Sequence, residues 1–171
     1  MSMDWGSYRP FSVGWYAVVP DEYDFGFNTQ ARNWFDNANI NLPRGALIKY
    51  REWYGVAKDR QGLVIPNIGL KLTAEDVAKG INIREYDEPK NDRNRPNLAY
   101  RVGDPSMAKE DGGPSFFERM GASPYYLQFQ KADNKRMGQL GAMGGWDMLR
   151  QRLKGEEGRP MIYFMENCTE T

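Results

Sequence analysis

Apolar residues first gather at Phe11 to Val19, a continuous run closed by Pro20, and such a run predicts a largely buried β-strand. The segment Pro20 to Asn41 is rich in Asp, Asn and Gly with scattered aromatics, which fits a long connection or a loose hairpin. Pro43-Arg44-Gly45 marks a turn. Ala46 to Val56 then alternates, with Ile48, Tyr50 and Tyr54 on one face and Lys49, Arg51 and Trp53 on the other, as a second strand does. Glu52 falls on its apolar side.

Helical spacing takes over at Thr73. Thr73-Ala74-Glu75-Asp76 has the spacing of a capping box, and Ala74, Val77, Ala78 and Ile81 recur at i, i+3, i+4 and i+7 to line one face. Asp87 to Arg95, closed by Pro96, is polar enough to be an exposed loop, after which Leu98 to Val102 reads as a buried strand leading into Asp104. Ser115-Phe116-Phe117-Glu118 repeats the cap signal, and Gly121 is placed to end a short helix. Tyr125 to Gln130 alternates like a strand. Between Asp133 and Leu153 the helical pattern is interrupted by Gly138, Gly141, Gly144 and Gly145, each costing about 1 kcal/mol inside a helix. It is either one compensated helix or a break at Gly144-Gly145 followed by a separate one. Pro160 to Met165 is a last strand.

The 171 residues suffice for one domain with a substantial core, and 40% apolar with 13% aromatic residues excludes disorder over the whole length. Twenty-three basic and 23 acidic residues balance, so any contact with a polyanion must be local. One cysteine, Cys168, and no histidine remove internal disulfides, thiolate zinc sites and imidazole chemistry, leaving oxygen as the ligand for any metal. No apolar run approaches a membrane span and no leader pattern opens the chain, so an intracellular, soluble, membrane-free protein is expected.

Two places combine a strand with a terminal carboxylate: Asp4-Trp5-Gly6 before the first long strand, and Val102-Gly103-Asp104-Pro105. Strands of this kind set side by side bring both carboxylates to one divalent cation. The alternative for each is an ordinary aspartate cap on a turn or helix. Glu52 is a further acidic candidate, with a plainer role in packing or an edge-strand ion pair, and Asp147, in the segment after the double glycine, is a candidate third ligand. Lys131, Lys135 and Arg136, with Arg150, Arg152 and Lys154 beyond, are candidate phosphate contacts or simply a solvated face.

The element order, three strands, then helix, strand, helix, strand, helix, strand, describes a mixed α/β sheet with antiparallel strands first and parallel strands after, flanked by helices, and resembles the ribonuclease H-like fold. Asp4-Trp5-Gly6, Pro10-Phe11-Ser12-Val13-Gly14-Trp15, Leu42 to Leu47 with Arg51 to Gly55, Gly69 to Ala78 and Gly103-Asp104-Pro105-Ser106 together resemble the carboxy-terminal nuclease domain of the large terminase subunit of tailed bacteriophages. The resemblance spans nearly the whole chain. It implies a two-metal Mg²⁺ or Mn²⁺ endonuclease that cuts concatemeric double-stranded DNA during genome packaging in the host cytoplasm, with Asp4 and Asp104 as metal ligands. Its implied partners are double-stranded DNA and, in a full-length protein, the portal, the small terminase subunit and the protein's own ATPase domain. The family takes a third acid from a later helix and carries an amino-terminal ATPase. The chain ends at Thr171 and has no Gly-x-x-x-x-Gly-Lys-Ser/Thr loop, so residues 1–171 are expected to be a nuclease-domain fragment with feeble metal binding and weak cleavage. Other readings are a non-catalytic DNA- or portal-binding module of the same fold, and another ribonuclease H-like nuclease such as a junction resolvase.

Overall fold

In the computed structural model, which describes residues 1–6, 8–20, 42–86, 98–133, 144–156 and 158–169, the strand ending in Asp4 lies between two neighbours. The strands are β1 (Ser2–Asp4), β2 (Ser12–Val18), β3 (Leu47–Tyr54), β4 (Val56–Lys58), β5 (Val64–Gly69), β6 (Val102–Gly103), β7 (Gln130–Lys131) and β8 (Ile162–Phe164). The helices are α1 (Ala74–Tyr86), α2 (Phe116–Gly121) and α3 (Gly145–Lys154), with a 3-10 turn at Pro105–Ala108. Six strands hydrogen-bond in the order β7-β6-β1-β2-β3-β8, and β4 and β5 form a separate hairpin. β1 is antiparallel to β2 and parallel to β6, β6 is parallel to β7, and β3 to β8. Antiparallel strands come first and parallel ones come after, as the sequence predicts.

The chain divides into two compact units, Met1–Trp15 with Glu52–Asn134, and Tyr16–Arg51 with Lys135–Thr169. In the first unit, Met3, Phe11, Val13 and Trp15 are buried on one sheet face, and α1 contributes Ala74, Val77, Ala78 and Ile81, all fully buried. These are the four residues that helical spacing selects, and each large side chain removed from water contributes about 1.5 to 3 kcal/mol. α1 seats close to the sheet because Gly80 lies against the Trp53 ring, where a Cβ would collide with the indole. The Arg84 guanidinium covers the same ring at 3.8 Å. At the far end of α1, Glu85 accepts from Trp15 Nε1 at 3.2 Å and pairs with Arg101, tying helix, β2 and the approach to β6 together.

In the second unit, Ala46, Val19, Met161, Ile162 and Cys168 are buried, with β8 beside β3 at Leu47↔Ile162. Arg152 from α3 donates to the Gly45 carbonyl at 3.1 Å, and Asn167 donates to the Tyr50 carbonyl at 3.2 Å. α3 begins after Gly144, which resolves the glycine-rich stretch in favour of a separate helix there. The expected connection at 20–41, the polar loop at 87–95 and the earlier part of the glycine-rich stretch lie outside the described residues, Pro20 and residues 133 and 144 onward excepted.

Three expectations are corrected. The strand approaching Asp104 is only Val102–Gly103, and Leu98 to Tyr100 are not in the ladder. Tyr125 to Gln130 is mostly irregular: the Tyr125 and Tyr126 amides both return to the Ala122 carbonyl and Tyr126 takes φ +53, so pairing begins at Gln130. The β3 strand stops at Tyr54, and the chain then makes the β4–β5 hairpin.

Candidate functional site

Asp4 and Asp104 meet because their strands are neighbours in register. β1 and β6 run parallel with Ser2 beside Val102 and Met3 beside Gly103, so the next residues along, Asp4 and Asp104, leave the sheet side by side at the carboxyl ends of the two strands. The Asp104 amide donates to the Met3 carbonyl at 2.9 Å, which fixes that level. Strand alternation sends Met3 into the core and Asp4 to the opposite, solvent-facing side. Gly103 makes the approach possible: a Cβ there would lie 2.6 Å from Phe117 and 3.1 Å from the Met107 sulfur.

Each carboxylate is held in place by the residues on its C-terminal side. Trp5 packs on Phe116 at the start of α2, ring centroids 4.1 Å apart. α2 is fixed by a complete capping box between Ser115 and Glu118 and by a two-pronged contact of Arg119 with Glu75 of α1, at 2.8 and 2.6 Å. Gly6 turns the chain so tightly that a Cβ would collide with the Arg9 carbonyl oxygen. Asp104 caps the 3-10 turn, its Oδ1 accepting from the Ser106 amide at 2.7 Å with Pro105 in the first position.

The electrostatics record the encounter. Burial, and after it the negative charge of Asp104, push the Asp4 carboxyl above its ordinary value, while a backbone amide at Trp5 works in the opposite direction. Two like charges on adjacent strands resist joint ionisation, and a cation between them relieves that repulsion. The donor set is all oxygen and suits a hard divalent ion. Among the described residues no cluster of three acidic, His or Cys side chains occurs.

The remaining candidates scatter. Lys131 is exposed on β7 beside Gly103, which puts it on the sheet face opposite the two aspartates. Lys135 and Arg136 lie outside the described residues. Glu52 is half-buried on β3. Asp147 belongs to the second unit, where it pairs with Arg150 at 3.5 Å in the first turn of α3. One neighbour escapes the motif reading: Ser12 stands directly across from Asp4 in the antiparallel β1–β2 ladder, on the same face and exposed. Counting back from Trp15 along the strand places it on the polar face, but its position across from Asp4 comes only from the ladder.

Comparison of the chain with family models, curated proteins and solved structures finds no match in any of the three. No helix among the described residues is long and apolar enough to cross a membrane.

Proposed function

We propose that the first unit carries a divalent-metal-dependent endonuclease site of the phage terminase large-subunit type, acting on concatemeric double-stranded DNA, in a ribonuclease H-like sheet. The observation that carries this reading is the parallel β1–β6 pairing that sets Asp4 and Asp104 at adjoining strand ends with coupled charges. The order of antiparallel and then parallel strands supports the fold, and the agreement of Asp4-Trp5-Gly6 and Gly103-Asp104-Pro105-Ser106 with the family pattern supports the assignment.

Asp4 and Asp104 would supply the carboxylate oxygens that hold Mg²⁺ or Mn²⁺. A cation held there would acidify a water and stabilise the departing oxygen of a phosphodiester. Only an ionised carboxylate would hold the ion, so the upward push on the Asp4 carboxyl sets metal and proton in competition there. Asp104, with Oδ1 accepting from the Ser106 amide, would have Oδ2 left to hold an ion and would keep its orientation through the cap. The β1–β6 ladder holds the backbone of the two residues side by side. Among the described residues two carboxylates are few for a two-metal site, and slow cleavage is the expected behaviour of such a pair.

The cap itself favours a second reading, in which Asp104 serves only the 3-10 turn and the domain binds DNA or the portal without cutting. Nicking of supercoiled plasmid in Mn²⁺ separates the two. The nuclease reading expects activity in the wild type and its loss in Asp4→Asn and Asp104→Asn; equal background in all three leaves binding alone. A preference for branched over linear duplex would instead favour a junction resolvase.

A further inference from the structure

The β4–β5 hairpin leaves the sheet at the same end as the two aspartates. The Gly55 amide donates to the Phe11 carbonyl at 2.8 Å, where β2 begins. β3 therefore ends beside the start of β2, and β2 starts where the chain returns from Asp4. The hairpin is also bonded to that returning loop: the Gly69 amide donates to the Tyr8 carbonyl at 2.7 Å, and the Leu70 amide closes on the Gly55 carbonyl at 2.9 Å. Contact at Gly69 is so close that a Cβ would meet the Arg9 carbonyl oxygen at 2.5 Å. The hairpin base is thus fixed to the loop that leaves Asp4, within one compact unit.

The hairpin is a stiff two-stranded ribbon with a closed tip. Asp59 Oδ1 accepts from the Gln61 and Leu63 amides, both at 2.9 Å, the Asp59 amide donates to the Leu63 carbonyl at 2.8 Å, and Gly62 takes φ +84. Its paired span is short: Val56 stands beside Gly69 and Lys58 beside Val64, with the extra residues of the second arm bulging between them. Lys58 and Arg60 flank the tip, and Arg9 and Lys71 stand at the base, the Lys71 ammonium 5.4 Å from the centre of the Tyr8 ring. All four are exposed, and among the described residues none is ion-paired with a carboxylate. Asp59 is the one acid between them at the tip, and its Oδ1 is committed to the turn; Asp76 near the base is held by Thr73. In a chain of zero net charge this is a local cationic surface.

We infer that the β4–β5 hairpin and the Tyr8–Arg9 loop form a phosphate-binding rail that holds a nucleic-acid duplex across the Asp4–Asp104 pair. The ligand is a duplex polyanion read through its backbone. A two-stranded ribbon has the width to track a duplex groove, and the cations at its base and tip offer two places for backbone phosphates. Arg9 is five residues from Asp4, at most about 18 Å along an extended chain, so a duplex bound at the base lies within reach of the carboxylates. Exposed Leu63 and Val64 beside the tip add apolar contact without sequence reading.

The inference rests on the nuclease reading, and its test is run without metal so that binding and cutting fail separately. A short fluorescein-labelled duplex is titrated by anisotropy in EDTA across a salt series, with wild type, Lys58→Ala/Arg60→Ala, the charge-keeping Lys58→Arg/Arg60→Lys, and Arg44→Ala of the second unit as a control. Each lost phosphate contact lowers the slope of log affinity against log salt by about 0.9, so the double alanine variant should lose roughly 2 from the slope while the other two keep the wild-type value. An unchanged slope in the double alanine variant, or a wild type that binds no duplex at low salt, overturns the rail. Loss of nicking in Asp104→Asn alongside an unchanged slope would leave the cutting site standing without it.

Discussion

The bond between Arg119 and Glu75 holds the platform behind Asp4, because Arg119 sits in α2 and the first residue of α2 carries Trp5. Its strength shows in the Glu75 carboxyl, drawn from 4.5 to about 2 chiefly by the Arg119 hydrogen bonds. At face value that fall corresponds to about 3 kcal/mol of folding stability. The two side chains are 35% and 40% exposed, and solvent screening reduces the contribution to about 1 kcal/mol. A depressed carboxyl stabilises fully above its unfolded value and loses that contribution as pH falls through the folded one, so the window runs from about 4.5 down to about 2. Urea denaturation of wild type, Glu75→Gln, Arg119→Met and the double variant yields the coupling energy as a thermodynamic cycle. We expect about 1 kcal/mol at pH 7 and less than half of it at pH 3. A coupling energy below about 0.3 kcal/mol at neutral pH, or one equal at both pH values, refutes the reasoning.

The same geometry sets three further outcomes. Asp104→Asn should lower the Asp4 titration midpoint observed by carboxyl NMR, since it removes the neighbouring charge; a rise or no movement would mean the carboxylates do not sense each other. A carboxyl held above its ordinary value makes the folded chain bind more protons, so stability falls as pH climbs from about 4 through the folded value. Asp4→Asn should accordingly be more stable than wild type at pH 7 and flatten that slope, and a loss of midpoint denaturant concentration at pH 7 would oppose this. Ile81→Ala, at a side chain with no exposure, should cost about 2 to 5 kcal/mol in urea denaturation. A cost near zero would mean α1 does not seal the core.

What the sequence disclosed was local. The capping boxes at Thr73 and Ser115 work as their spacing predicts, because a cap is satisfied within four residues and needs no tertiary partner. The β2 strand was equally plain, its apolar run being buried where Phe11, Val13 and Trp15 face α1. The hairpin was hidden: three-residue β4 and the bulged β5, interrupted by Pro66 and by Asn67 at φ +61, show no clean alternation. Tyr125 to Gln130 misled in the opposite direction, alternating in sequence while Ala122 holds its start in a turn. For the site, the two aspartates were visible as strand-end acids, but Ser12 required the β1–β2 register. The cationic hairpin required knowing which sheet end β3 leaves from. Lys131 was placed by proximity in sequence to other basic residues, whereas the pleat turns it away from the carboxylates.

The pairing of Asp4 with Asp104 is open to direct sight. Crystals of the protein soaked in Mn²⁺ and measured at the manganese absorption edge should give an anomalous peak bridging Asp4 and Asp104, with carboxylate oxygens at about 2.0 to 2.2 Å and no such peak in Asp104→Asn crystals. Aspartates that turn aside to cap backbone alone, with manganese absent or bound elsewhere, would contradict the account at its centre.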